Sequence, residues 1–191
     1  DAAGDGDGDS DGGGEAGRAI AEADIIQLAG DRLYALSRYA GMHVIDVSDP
    51  SRLVVLGRHR INAEPFEMYL RGSVAYVMYN AYGRYQYDEA AKGYVWRESS
   101  RMQALNVQDP AHIVEIGSYD LAGNISDSRL VGDIAYVVTY ENGYCWSCAT
   151  TSNTRITSFD IRDPSKFTLV DELRFEEPQE SYSWGPRSVS V

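Results

Sequence analysis

The chain is poor in the residues from which most catalytic and metal centres are built. Its 191 residues include two cysteines, Cys145 and Cys148, and three histidines, His43, His59 and His112. The histidines stand singly in strand-like or turn contexts, without the spacing of a metal site. There is no Gly-x-Ser-x-Gly elbow, phosphate-cradling glycine loop or His-Glu-x-x-His zinc helix. No catalytic residue and no metal ligand is assigned on these grounds. Basic residues are scarce too: 17 Lys and Arg stand against 29 Asp and Glu, for a formal charge of −12. Nucleic acid is excluded as a partner, because phosphate contacts need clustered Lys and Arg. No apolar run is long enough to cross a bilayer.

What the chain does have is internal repetition. Met42-His43-Val44-Ile45-Asp46-Val47-Ser48-Asp49-Pro50 is echoed by Met102 to Pro110 and by Ile156 to Pro164, each an alternating apolar run closed by Asp-Pro. Upstream of each lies a second shared element: Gly30-Asp31-Arg32-Leu33-Tyr34, then Gly72-Ser73-Val74-Ala75-Tyr76, then Gly132-Asp133-Ile134-Ala135-Tyr136. Two elements recurring three times in one order point to a repeat architecture. Alternation predicts four short strands per unit. The first unit gives Ala23 to Leu28, Leu33 to Ser37, Met42 to Val47 and Leu53 to His59. The second gives Phe66 to Leu70, Val74 to Tyr79, Met102 to Val107 and Ile113 to Tyr119. The third gives Ile125 to Val131, Ile134 to Tyr140, Arg155 to Ile161 and Leu169 to Phe175. Gly30-Asp31 supplies a tight hairpin turn, and Asp-Pro ends each third strand because proline presets the turn and has no N-H for a ladder.

The expected fold class is therefore all-β, with β-propeller blades of four antiparallel strands over about 23–61, 65–121 and 124–176. Trp184 to Val191 reads as the first strand of a fourth. Since propellers close with about four to eight blades, three and a stub predict a portion of a larger ring. The Asp-Pro turns lie further apart than the about 40–50 residues of a plain blade. The excess sits between the second and third strands of the second and third units.

Residues 1–21 are expected to be a disordered, acidic, Gly-rich tether, with 22–191 forming the propeller portion and a short helical turn over Arg18 to Asp24. Residues 1–17 hold seven glycines and six acids (Asp1, Asp5, Asp7, Asp9, Asp11, Glu15), with no base. Such a segment buries too little apolar area to offset its chain entropy. Asp7-x-Asp9-x-Asp11-Gly12 matches the first half of an EF-hand calcium loop, but the twelfth position falls on Arg18, where a bidentate Glu is required. The tether is preferred over calcium.

The Ala23-Asp24-Ile25-Ile26 start, followed by Gly30-Asp31-x-x-Tyr34 and Ile45-Asp46-Val47-Ser48-Asp49-Pro50, resembles a bacterial and archaeal family of exported proteins with a β-propeller domain. It is also similar to the propeller-forming LVIVD repeats, and the resemblance covers about Glu22 to Val191. It implies the fold and export. It implies little about activity, because the fold hosts both enzymes and scaffolds. The acidic start resembles the spacer that follows the lipidated cysteine of bacterial lipoproteins, so a lipid anchor upstream of Asp1 is the one expected route to a membrane.

Two unrepeated stretches carry the candidate sites. In Tyr79 to Arg97, the residues Tyr82, Tyr85, Tyr87, Tyr94 and Trp96 surround Asp88 to Gly93, which predicts an extended hairpin with Tyr85, Tyr87, Tyr94 and Trp96 on one face. Amphipathic aromatics on a projecting arm suit protein or glycan recognition, and cross-strand pairing that merely holds the arm together competes with that reading. Cys145-Trp146-Ser147-Cys148 fits a redox pair, half a zinc site or a small disulfide. The turn residues Asn142-Gly143 and Thr150 to Asn153 favour a disulfide pinning a loop, which suits an oxidising compartment. Asp46, Asn106 and Asp160 recur in every unit. That favours blade building over a cation-holding channel ring, since an active-site group is expected once. The leading expectation is an extracellular or envelope propeller binding protein or glycan through its loops. An enzyme with its site at the channel, completed by further blades, and a structural subunit of a surface assembly are the alternatives.

Overall fold

Each repeated sequence pair becomes the middle of one sheet in the computed structural model, which describes residues 20–21, 25–141 and 152–177. The strands are β1 (Ile20–Ala21), β2 (Ile26–Ala29), β3 (Arg32–Ser37), β4 (Gly41–Asp46), β5 (Val54–His59), β6 (Glu64–Arg71), β7 (Val74–Asp88), β8 (Gly93–Asn106), β9 (Val114–Ala122), β10 (Asn124–Val131), β11 (Ile134–Glu141), β12 (Ser152–Asp160) and β13 (Thr168–Glu177). They form three antiparallel blades, β2-β3-β4-β5, β6-β7-β8-β9 and β10-β11-β12-β13, with β1 added to the free edge of β10. The first strands of successive blades neighbour one another, so they form the inner edge of an open arc. Connections in an antiparallel blade alternate between its ends. The Gly turns and Asp-Pro turns therefore share one end, and the long second-to-third-strand excursions share the other.

The Gly turns are tight because Gly30, Gly72 and Gly132 all adopt φ near +60° (58°, 57° and 60°), a region L side chains avoid. At the Asp-Pro turns the Asp carboxylate bonds the backbone ahead of it. Asp49, Asp109 and Asp163 accept from the backbone N-H two residues on, at 2.9, 3.0 and 3.0 Å. Asp46, Asn106 and Asp160 make the same local bond, to Ser48, Gln108 and Arg162 at 2.9, 3.0 and 3.0 Å. They sit at the ends of third strands, two strands out from the inner edge, and are spent on building turns.

Alternation sends opposite faces of the middle blade to its two neighbours. Met68, Ala75, Val77, Leu105 and Val107 pack against Tyr34, Leu36, Met42 and Val44 of the first blade. Tyr69, Tyr76, Met78, Met102 and Ala104 pack against Ala135, Val137, Phe159 and Ile161 of the third. The outer strands are notched. A bulge at the same place in β5, β9 and β13 is followed by Gly57 in the first blade and Gly117 in the second. A Cβ at Gly57 would fall 1.5 Å from the Pro110 carbonyl oxygen, and one at Gly117 2.3 Å from that of Pro164. Each notch therefore seats the next blade's Asp-Pro turn. In β13 the matching residue is Asp171. Among the described residues Tyr136 of the third blade is 37% exposed, whereas its repeat equivalents Tyr34 and Tyr76 are 5% and 4% exposed.

One feature differs from expectation. Ile20 and Ala21, assigned to the tether and to a helical turn, instead pair with Val131 and Leu130. A free inner edge offers unpaired backbone groups, and even a short extended segment satisfies them. The second unit's excursion forms the extended hairpin expected, continuous with its blade: β7 and β8 run from blade to tip over 15 and 14 residues. The other residues assigned to the tether, the Asp7 to Gly12 stretch and Trp184 to Val191 lie outside the described residues.

Candidate functional site

The continuous β7–β8 ribbon lifts an arm off the middle blade. Its register passes through a bulge between Ala81 and Arg84 and then pairs Tyr85 with Trp96 and Tyr87 with Tyr94. Directly paired residues share a face, and so do residues two apart on one strand. All four rings therefore stand on one side of the arm, as the alternation predicts. Tyr85 meets Trp96 edge-to-face at 5.0 Å between centroids and Tyr87 meets Tyr94 at 5.5 Å. Tyr87 and Tyr94 remain 52% and 63% exposed, so pairing leaves much of each ring to solvent. The Trp96 indole N-H donates to Glu98 at 3.3 Å. Tyr82 lies on β7, and its side chain falls outside the described residues.

At the tip the Asp88 carboxylate accepts from the Ala90 and Ala91 amides, both at 2.9 Å, and closes the turn. Its second oxygen takes Arg97. The Ala91 amide foremost holds the Asp88 carboxyl below the ordinary carboxylate value, outweighing desolvation, with the Arg97 and Ala90 bonds adding smaller contributions. Arg97 also donates to Glu141 of the third blade at 3.1 Å, and Arg155 on β12 donates to the other Glu141 oxygen at 3.2 Å. Asp88, Arg97, Glu141 and Arg155 thus form one chain of alternating charge running from the arm's tip into the next blade. Glu141 is 7% exposed, and a carboxylate that far from water needs such partners.

Beneath the arm the blades are joined by side chains that imitate a strand. Gln27 donates to the Met68 carbonyl at 2.6 Å and accepts from the Leu70 amide at 3.1 Å. Asn80 donates to the Ile125 carbonyl at 3.3 Å and accepts from its amide at 2.7 Å. Arg71 and Asp133 form a 2.7 Å ion pair between the second and third blades. Between the same blades the Tyr69 hydroxyl lies 2.9 Å from that of Ser128, which also bonds Glu67. Burial pushes the Tyr69 phenol up to about 12.

The structure brings Tyr85, Tyr87, Tyr94 and Trp96 together. His112 bonds Asp109 at 2.7 Å in its own turn, and His43 and His59 lie on different strands of the first blade. Cys145 and Cys148 lie outside the described residues. Sequence reasoning missed the Glu141 chain and the two amide bridges. One signal was available for Glu141: the residue at that place in the other units is Tyr39 or Ala81, so an acid there is a departure from the repeat.

Residues 17–146 match the model of a family described as Beta propeller domain. No curated protein and no solved structure matches the chain.

Proposed function

Because this chain belongs to the beta propeller domain family, we propose that it is an exported binding module of the cell surface or envelope, recognising a protein or glycan through the arm of its middle blade. The observation that carries the reading is the arm's aromatic stripe, exposed Tyr85, Tyr87 and Tyr94 with half-buried Trp96, which no other unit repeats among the described residues. Rings of this kind combine apolar area with a hydrogen-bonding hydroxyl, the chemistry that concentrates binding energy at recognition surfaces. Blade residues that recur, Asp46 among them, are occupied in turns and are not needed for recognition. Export is supported by the resemblance to exported propellers, and the Cys145-x-x-Cys148 pair fits that reading if it forms the proposed disulfide, which would persist in an oxidising compartment.

The test places a photo-crosslinking residue at Lys92, beside the stripe, and captures partners on intact cells, with a glycan array run in parallel. The Tyr87→Ala/Tyr94→Ala double variant should lose at least about tenfold in capture or array signal, as two central contacts of roughly 1 kcal/mol each would give. Its blade circular dichroism should be unchanged. Capture and array binding that survive the double variant would assign the stripe to holding the arm together.

A further inference from the structure

We propose that Glu141, a buried residue of the third blade, sets the direction in which the middle blade's arm points. The inference rests on the reading of the arm as the recognition element and adds a positioning residue that cannot itself reach a partner. A two-stranded ribbon standing beyond its sheet is marginal as a rigid body. This one also carries a bulge at its base, between Ala81 and Arg84, where a ribbon bends. The blade's own ladder supports the arm only up to Ser99 opposite Ala122, with one further backbone bond from Gly123 to the Glu98 carbonyl at 2.8 Å. Arg97 is the next residue out. It reaches sideways across the blade boundary to Glu141, at 3.1 Å.

Glu141 is suited to hold it. Its other oxygen is fixed by Arg155 of the same blade, and it ends β11, a strand paired along its whole length. Arg97 in turn holds Asp88, which closes the tip. One buried carboxylate is thereby linked to both base and tip of the arm. The repeat supports this assignment: the equivalent residues of the other units are Tyr39 and Ala81, and Ala81 follows the first blade, in which only a short turn joins β3 to β4. The acid appears in the blade that follows the arm, so it serves the arm rather than blade construction. The aromatic pairs hold the arm's strands to each other; the Glu141 link holds the arm to the arc.

The experiment uses the full chain with Trp146→Phe and Trp184→Phe, so that Trp96 is the single indole reporter. Glu141→Gln keeps the shape and removes the charge. In this variant time-resolved anisotropy of Trp96 should gain a fast component. Hydrogen exchange of amides 93–97 should speed up about tenfold, as a local opening would produce, while β10 and β11 stay protected. Unchanged anisotropy and exchange in the variant would overturn the proposal. So would a uniform rise in exchange across the third blade, which would make Glu141 a stability residue only. Neither readout uses a partner, so a failed capture experiment and a failed anisotropy experiment point to different errors.

Discussion

Tyr76 and Tyr94 belong to the same β7–β8 ribbon and are used in opposite ways. Tyr76 is sealed between two blades, its hydroxyl donating to the Ile161 carbonyl at 2.8 Å and its ring edge-on to Phe167 at 6.1 Å. Tyr94 stands on the arm, paired with Tyr87 and open to solvent. In the framework a tyrosine spends both its ring and its hydroxyl on the neighbouring blade. On the arm only part of the ring is spent. The difference shows where stability ends and recognition begins on this ribbon: the ring sealed between blades is satisfied within the fold, and the ring on the arm retains unused surface.

That contrast can be broken most forcefully from the framework side. Phe159 is fully buried between the second and third blades, 4.6 Å from the Tyr119 ring. Phe159→Ala should cost about 3–5 kcal/mol in denaturant unfolding, as large-to-small changes in a packed core do. A loss below about 1 kcal/mol would mean that the two blades are not one cooperative unit. Gly57→Ala should cost about 1–3 kcal/mol, because the new Cβ meets the Pro110 carbonyl and the blades must separate. The same change at the exposed Gly30 turn has open space around it, so its cost comes from backbone strain alone.

The smallest effect expected is one of pH. The Tyr69 phenol titrates at about 12 in the folded chain because burial disfavours its anion, while an unfolded tyrosine titrates near 10. Its contribution to stability is thus fully present below about pH 10 and is lost as the pH rises towards about 12, since the folded state then binds the extra proton. Tyrosinate absorbance should rise in a late phase that Tyr69→Phe reduces and that arm substitutions leave in place. Loss of the late phase in Tyr87→Phe instead would invert the comparison between the two regions.

Most of the framework was legible in the sequence because a period of two within strands, and Gly and Asp-Pro turns between them, are local signals repeated three times. The arm's ring pairs were legible for the same reason: Tyr85, Tyr87, Tyr94 and Trp96 alternate about a turn. What joins the blades was not. Gln27 to Leu70, Asn80 to Ile125 and Arg97 to Glu141 are single contacts between residues more than 40 apart, and no periodicity announces them. The pairing of Ile20 with Val131 was hidden similarly, since it depends on an inner edge that exists only once the blades have assembled.

The notches at Gly57 and Gly117 bear finally on whether the units are interchangeable. Each accepts a proline turn from the unit that follows it, and the third unit offers Asp171 where the notch would be. Moving the third unit ahead of the second would press Pro110 against the Asp171 side chain, where Gly57 now leaves room for it. The three units look like copies in their strand pattern, yet their order is written into the chain by which of them lacks a single side chain.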